Sequence, residues 1–198
     1  MATGFVRPAR PGDADEIARI QLVTWRTAYR RLLPRRVLAD LDEAWMTTQW
    51  RDAIVAPPSE RHRVLIAVEQ TGPPDEAPEG SEPTARSHVV GFIAAGPADQ
   101  AAEAPDEKSL PDTVASITDL LVEPRWGRRG HGSRLLAAAV DGWRDDGFET
   151  AVAWAYDEDP ATRRFLTSAG WEPDGASRAL DVDDLLVRQL RLHVALIE

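Results

Sequence analysis

One stretch of the sequence, residues 117–143, constrains the fold more than any other. An apolar run typical of a buried strand ends at Pro124, and helically spaced apolar residues continue from Leu135 to Trp143. The loop between these two runs contains Gly127, Gly130 and Gly132. We therefore predict a strand, a glycine-rich turn and a helix in direct succession.

This turn has the properties of an anion site. The first amides of a helix have no partner within the helix, and the helix dipole favours negative charge there. Glycine lets a ligand approach the backbone closely, and Arg128, Arg129 and Arg134 add cationic donors suited to phosphate. Walker and Rossmann glycine patterns are both absent. The residues predict a pyrophosphate-binding turn, although a glycine-rich turn that binds nothing has the same outline.

The same stretch closely resembles the acyl-CoA-binding motif of the GCN5-related N-acetyltransferase (GNAT) superfamily. That motif runs Val-x-Pro-x-x-(Gln/Arg)-x-x-Gly-x-Gly/Ala and leads into an apolar helix. Here it is carried by Val122, Pro124, Gly130 and Gly132, followed by Leu135 and Leu136. Gly127 stands where the family usually has Gln or Arg.

A second block, residues 154–171, resembles the other recurrent motif of the family. Asp159 stands at its Asn position, and Phe165, Gly170 and Trp171 match its later positions. Leu166 replaces the tyrosine that in many members protonates the departing CoA thiolate. The resemblance implies that this proton comes from another group, comes from water, or is dispensable.

The predicted order of elements, β-α-α-β-β-β-α-β-α-β-β, matches the superfamily along nearly the whole chain. The resemblance implies an α/β (α+β) fold, with a mixed, mostly antiparallel, splayed sheet of about seven strands flanked by about four helices. We expect residues 1–198 to form a single domain. Two acidic segments, 71–87 and 96–112, are predicted to be mobile loops. The alternating final strand is predicted to expose one face.

The resemblance also implies direct transfer of an acetyl group from acetyl-CoA, the acyl donor, to an amine. The residues that it implies for CoA binding are Leu120, Leu121, Val122, Arg128, Arg129, Gly130, His131, Gly132, Ser133 and Asp159.

Two residues are candidates for proton transfer. Amine attack requires loss of a proton, so a general base or a water chain is needed. Asp119 is the nearest carboxylate and the candidate base, with a structural hydrogen-bond role as its alternative. Strand alternation places it on the face opposite Ser116 and Thr118 unless a bulge intervenes. Tyr156 is the candidate acid, with simple packing as its alternative.

Composition argues against several other functional classes. The net charge of −10 argues against nucleic-acid binding. No apolar run approaches the roughly 20 residues that span a bilayer, and no secretory signal is expected. The sequence has no cysteine and its histidines are scattered, so we expect no metal site and take the cytoplasm as the simplest location.

The expected partner is a primary amine of a small molecule or peptide, with protein lysine left open. A homodimer is the expected assembly. The alternative function is a regulatory or interaction module that binds acyl-CoA with little or no turnover, which Leu166 and the lack of an obvious base favour.

Overall fold

Seven strands form one open, mixed sheet, and the α-helices of the described residues cover its two faces. The computed structural model describes residues 3–71 and 86–196. The strands are β1 (Thr3–Pro8), β2 (Arg63–Thr71), β3 (Arg86–Pro97), β4 (Val114–Val122), β5 (Thr150–Tyr156), β6 (Glu172–Val182) and β7 (Leu185–Ala195). The helices are α1 (Ala14–Ala28), α2 (Arg35–Ala39), α3 (Glu43–Val55), α4 (His131–Asp145) and α5 (Pro160–Ser168). The strand order is β1-β2-β3-β4-β5-β7-β6, which confirms the predicted fold class.

Local sequence signals explain where several helices begin. Asp42 caps α3 and Asp159 caps α5, and each accepts hydrogen bonds from two backbone amides of the first turn. Pro160 occupies the first position of α5, where a missing N–H removes no intrahelical bond. The helix predicted to run through about Tyr29 is α1, which ends at Ala28.

An apolar core lies on each face of the sheet. α4 packs Leu135 and Trp143 against one face, and α1 packs Ile17 and Ile20 against the other, where Phe92 of β3 meets them. Each helix therefore buries one apolar stripe, and burial of one large apolar side chain contributes about 1.5–3 kcal/mol. The two layers hold the sheet rigid between them.

The sheet splits between β4 and β5, its parallel pair of neighbours. Residues 114–117 of β4 pair with residues 150–153 of β5, and the pairing stops there. Beyond that point β4 continues along β3, while β5 continues along β7. The carboxyl ends of the two strands therefore diverge, which is the predicted splay.

The segment between β3 and β4, residues 98–113, packs onto the sheet. Ala102 is 4% exposed, and its carbonyl oxygen accepts hydrogen bonds from Trp154 Nε1 at 3.1 Å and Arg191 Nη1 at 3.0 Å. Arg191 also donates to both carboxylate oxygens of Glu107, at 2.5 and 2.8 Å, and to Asp174 at 2.6 Å. A buried arginine therefore ties this segment to β6 and β7.

The prediction that the final strand exposes one face is wrong. Gln189 and Arg191 alternate with the apolar residues of β7, yet they are only 7% and 5% exposed. Residues 98–113 and side chains of β6 pack over that face. β7 also lies between β5 and β6, so β6 is the edge strand. The homodimer stays a prediction.

The two predicted loops are described to different extents. Residues 72–85 of the 71–87 loop lie outside the described residues, and its ends belong to β2 and β3. The 96–112 loop begins later than predicted because β3 runs to Pro97, and its mobility stays a prediction. Within the described ranges, every helix falls short of the length and apolarity that a membrane span requires.

The Arg191–Glu107 pair predicts how stability responds to acid. The hydrogen bond from Arg191 lowers the pKa of Glu107 to about 2, below its ordinary 4.5. The pair's contribution is therefore complete above about pH 4.5 and is lost as the pH falls towards 2. We expect Glu107→Gln to reduce the fall in the free energy of unfolding between about pH 5 and 3, measured by urea denaturation.

Asp106→Asn is the matched control, because Asp106 is the exposed neighbouring carboxylate. An equal acid sensitivity in Glu107→Gln and the wild type would show that the pair does not anchor the segment.

Candidate active site

Two cavities adjoin in the cleft between β4 and β5. The first, here called the outer groove, has a volume of about 740 Å³ and runs beside the amino end of α4. It is lined by Leu120, Val122, Trp126, Gly127, Arg128, Gly130, His131, Gly132, Ser133, Ala161, Thr162, Arg164 and Phe165.

The second space, here called the inner cavity, has a volume of about 180 Å³ and lies where the two strands begin to part. It is lined by Trp25, Tyr29, Ile117, Thr118, Asp119, Leu120, Leu121, Ala153, Trp154, Ala155, Tyr156, Asp159, Thr162, Leu166 and Gln189. Leu120 and Thr162 line both spaces, so the groove and the cavity meet at these two side chains.

The glycine loop, residues 127–133, offers unpaired amides to the outer groove. Gly127 donates its amide to Pro124, and Arg134 donates to Gly130. Among the described residues, the amides from 128 to 133 make no backbone hydrogen bond. Arg128 has φ of 62° and Gly130 has φ of 77°, a left-handed geometry that helps the amides converge. The loop therefore has the geometry that favours an anion at the start of α4.

The three arginines of this region do different things. Arg128 lines the outer groove. Arg129 lines neither space: its guanidinium lies 4.8 Å from the centre of the Trp126 ring and 4.0 Å from Glu69. Arg134 donates a hydrogen bond to the carbonyl oxygen of Arg129 at 3.2 Å and so links the first turn of α4 to the glycine loop.

His131 supports the loop from below. Its side chain is buried, with Nε2 lying 3.3 Å from a carboxylate oxygen of Glu69 and Nδ1 lying 3.0 Å from Arg134. Burial lowers the pKa of His131, so the ring stays neutral near neutral pH. The ring is thus held by protein groups, and the backbone amide of His131 is free to face the groove.

A bulge in β4 decides where Asp119 points. Ala95 pairs with Ile117 and Ala94 pairs with Asp119, which leaves Thr118 as an extra residue. Alternation alone would put Asp119 on the face of α4. The bulge instead turns it towards α1, on the same face as Ser116. The prediction from strict alternation, that Asp119 lies opposite Ser116, is therefore wrong. The exception named for it, a bulge, is present at Thr118.

Asp119 is held by a short hydrogen-bonded chain from two helices. The Nε2 atom of Gln21, on α1, lies 3.4 Å from Oδ1 of Asp119. The Nε1–H of Trp50, on α3, donates a hydrogen bond to Oε1 of Gln21 at 2.7 Å. Surrounding protein atoms raise the pKa of Asp119 to about 7 by desolvation, and the Gln21 contact opposes part of that rise. The carboxyl can therefore exchange a proton near neutral pH.

Aromatic residues form much of the inner cavity. Tyr29 and Tyr156 pack edge to face with their ring centres 5.2 Å apart, and Trp25 and Trp154 complete the set. Burial raises the pKa of both tyrosines, and neighbouring Asp119 adds to the rise in each. Both phenols therefore keep their protons near neutral pH.

Asp159 lies at the inner cavity and not in the outer groove. Its carboxylate accepts the amides of Ala161 and Thr162, and the Thr162 hydroxyl donates to it at 2.6 Å. Its contacts are therefore those of a helix cap. Leu166, about two turns further along α5, is 2% exposed and packs into the core, so it adds no donor to the cavity.

Sequence reasoning missed several residues that the fold brings to this cleft. Gln21 interrupts the apolar stripe of α1 between Ala18 and Trp25, and a polar residue at such a position was the available signal. Thr162 lies one turn before Leu166 on α5 and faces the same cavity. Gln189 belongs to β7. It reaches the inner cavity because β7 lies beside β5, and this strand order cannot be read from a local sequence pattern.

Comparison with known proteins agrees with this geometry. The sequence model of the Acetyltransferase (GNAT) family matches residues 37–171, which is more than half of the chain. Among curated proteins, none matches this sequence.

Solved structures share the fold at low sequence identity. The yncA protein of Salmonella typhimurium, determined with its cofactor acetyl-CoA, is 17% identical with a TM-score of 0.63, over 99% of this chain and 95% of that one. The PaiA N-acetyltransferase of Thermoplasma acidophilum, in complex with coenzyme A, is 13% identical with a TM-score of 0.64, over 98% and 99% of the two chains. The ribosomal-protein-S18-alanine N-acetyltransferase of Escherichia coli is 12% identical with a TM-score of 0.58, over 99% and 96%.

The raised pKa of Asp119 predicts a stability effect with a definite sign. Between its ordinary 3.8 and about 7, the unfolded chain has lost this proton while the folded protein retains it. The free energy of unfolding therefore falls as the pH rises through this window on account of Asp119. We expect Asp119→Asn to gain stability relative to the wild type on going from about pH 4 to pH 8, measured by urea denaturation.

Glu158→Gln, which removes an exposed carboxylate beyond the end of β5, is the control and should show no such gain. A difference between Asp119→Asn and the wild type that does not change with pH would contradict the raised pKa.

Proposed function

Because the chain belongs to the acetyltransferase (GNAT) family, we propose that it transfers an acetyl group from acetyl-CoA to a primary amine of a small molecule or peptide. One observation carries the proposal. An anion-binding groove and a separate cavity with a titratable carboxyl adjoin at Leu120 and Thr162. Donor and acceptor can therefore approach from opposite sides and meet there.

In this proposal the outer groove holds the CoA part of the donor. The free amides of residues 128–133 face the pyrophosphate, and Arg128 adds charge pairing. Within the described part of the chain, the edge of β4 at residues 120–122 has no strand partner on the side of β5. It can pair with the amide groups of the pantetheine arm as an additional strand would.

The donor supplies an acetyl group activated as a thioester, and the protein's part is to orient it and to move protons. A backbone N–H on the open edge of β4 is placed to polarise the acetyl carbonyl. Much of the rate enhancement then comes from holding amine and carbonyl in reacting geometry.

Asp119 takes the proton from the amine in this proposal. A general base works best when its pKa lies near the working pH, and the pKa of Asp119 is about 7. Gln21 and Trp50 hold its carboxylate in place from the side of α1 and α3. Proton transfer and acceptor binding thus use the same wall of the inner cavity.

Tyr156 is assigned the opposite role, donation of a proton to the departing thiolate. Leu166 cannot supply that proton, and Tyr156 keeps its own near neutral pH because burial raises its pKa. Tyr29 packs against it and provides a second phenol in the same cavity.

A binding module with little turnover is the second candidate function. Leu166, at the position where many family members carry a tyrosine, is the observation that favours it. Product formation from acetyl-CoA and a panel of primary amines separates the two functions. Tight CoA binding without product from any amine would support the module.

The first functional prediction concerns Asp119. We expect Asp119→Asn to lower kcat/KM by about 10²–10⁴-fold, because a positioned general base contributes on that order. The rise of activity through about pH 7 should weaken in the variant, while acetyl-CoA affinity stays the same. Initial rates from pH 5.5 to 9 and calorimetric titration measure the two quantities.

Glu158→Gln again serves as the matched loss of one carboxylate and should retain wild-type rates. If Asp119→Asn stays within about twofold of the wild type across this range, Asp119 is not the base.

The second functional prediction concerns Gly130. Its φ of 77° strains any residue with a β-carbon, and a branched side chain there would occupy the mouth of the groove. We expect Gly130→Val to weaken CoA binding by at least about tenfold, which corresponds to 1.4 kcal/mol. Calorimetric titration with CoA gives the comparison.

Gly175→Val is the control, since Gly175 has φ of 89° in β6 and lines neither space. Unchanged CoA affinity in a folded Gly130→Val protein would mean that the groove is not the CoA site.

A further inference from the structure

Two carboxyl groups line the inner cavity, and its described lining contains no cationic side chain. Asp119 and Asp159 both line it, and of its described lining residues none is Arg, Lys or His. The segments outside the described residues, 1–2, 72–85 and 197–198, contain no Arg, Lys or His in their sequence. No cationic side chain from those segments can therefore complete the cavity.

The arginines nearest to the cavity are committed to other partners. Arg178 lies 4.2 Å from the centre of the Trp154 ring, and it donates to Gln189 at 2.7 Å and to the carbonyl oxygen of Ala101 at 2.6 Å. Arg191 is buried in its ion pairs with carboxylates. Neither guanidinium belongs to the lining of the cavity.

The size and the walls of the cavity point to the same kind of guest. A volume of about 180 Å³ has room for a small alkyl arm. Trp25, Tyr29 and Tyr156 add aromatic rings to the lining, and an aromatic ring attracts a cation that approaches its face. An alkylammonium arm satisfies the charge, the walls and the volume together.

We infer that the acceptor is an unhindered primary amine whose neighbouring carbon bears no free carboxylate. This inference rests on the proposed function and deepens it. A free α-amino acid would place its carboxylate beside Asp119 with no cation to receive it, which is unfavourable by repulsion and by lost hydration. An alkylamine, or an amino-terminal residue whose carboxyl is already an amide, avoids both penalties.

Three acceptors of matched shape test the inference. 3-Methylbutylamine, leucinamide and leucine share one side chain and differ in having a hydrogen, a neutral amide or a carboxylate on the carbon that bears the amine. We expect kcat/KM for 3-methylbutylamine and leucinamide to exceed that for leucine by at least about tenfold, because placing like charges side by side costs several kcal/mol. Rates are compared at equal concentrations of neutral amine, so that acceptor basicity does not enter.

Binding is measured separately on protein saturated with CoA, using the intrinsic tryptophan fluorescence to which Trp25 and Trp154 of the cavity contribute. We expect leucinamide to bind at least about tenfold more tightly than leucine, since the same charge difference acts without turnover. If no amine is acetylated and this binding order holds, the proposed turnover fails, while the preference of the cavity for an amine without a neighbouring carboxylate is supported. If leucine binds or reacts as well as leucinamide, the inference is overturned whether or not the enzyme turns over.

The variant Arg178→Gln tests whether Arg178 receives the carboxylate of leucine. We expect the ratio of leucinamide to leucine affinity to stay within about twofold of the wild type, because Arg178 is not a receptor for the acceptor. If the variant instead loses leucine binding selectively, Arg178 is a carboxylate receptor and the inference is overturned.

Discussion

The short parallel pairing between β4 and β5 fixes where the candidate site lies. Parallel neighbours cannot be joined by a hairpin, so the chain must cross over between them, and α4 is that crossover. α4 therefore begins at the carboxyl end of β4, which is also where the two strands part. The free amides of the glycine loop and the open edge of β4 consequently face one cleft.

A single extra residue sets the chemistry inside that cleft. Because Thr118 is bulged, Asp119 faces α1 and meets Gln21 and the inner cavity. The burial that makes its carboxyl titrate near neutral pH also destabilises the folded protein at higher pH. In the proposed function, the protein gives up stability at the residue that transfers the proton, a trade-off that is common at functional sites.

The sequence predicted the parts of the site that are local. The strand, turn and helix over residues 117–143 follow from spacing and glycine placement, and every CoA-binding residue proposed there except Arg129 lines the cleft. The bulge at Thr118 could not be predicted, because both registers fit the apolar pattern. The burial of Arg191 was also missed, since its cover comes from residues 98–113, distant in sequence. Both features depend on contacts between segments that are distant in the sequence, and local patterns do not show such contacts.

We propose that CoA binds where β4 and β5 part. Amide hydrogen exchange, measured with and without CoA, tests this directly. We expect slower exchange at residues 120, 122 and 128–133 when CoA is added, with β1 and β2 unchanged. Among the described residues, β4 pairs with β5 only as far as Ile117, and the amides of residues 128–133 make no backbone hydrogen bond. Unchanged exchange at both segments with millimolar CoA, or protection confined to another part of the molecule, would contradict the account.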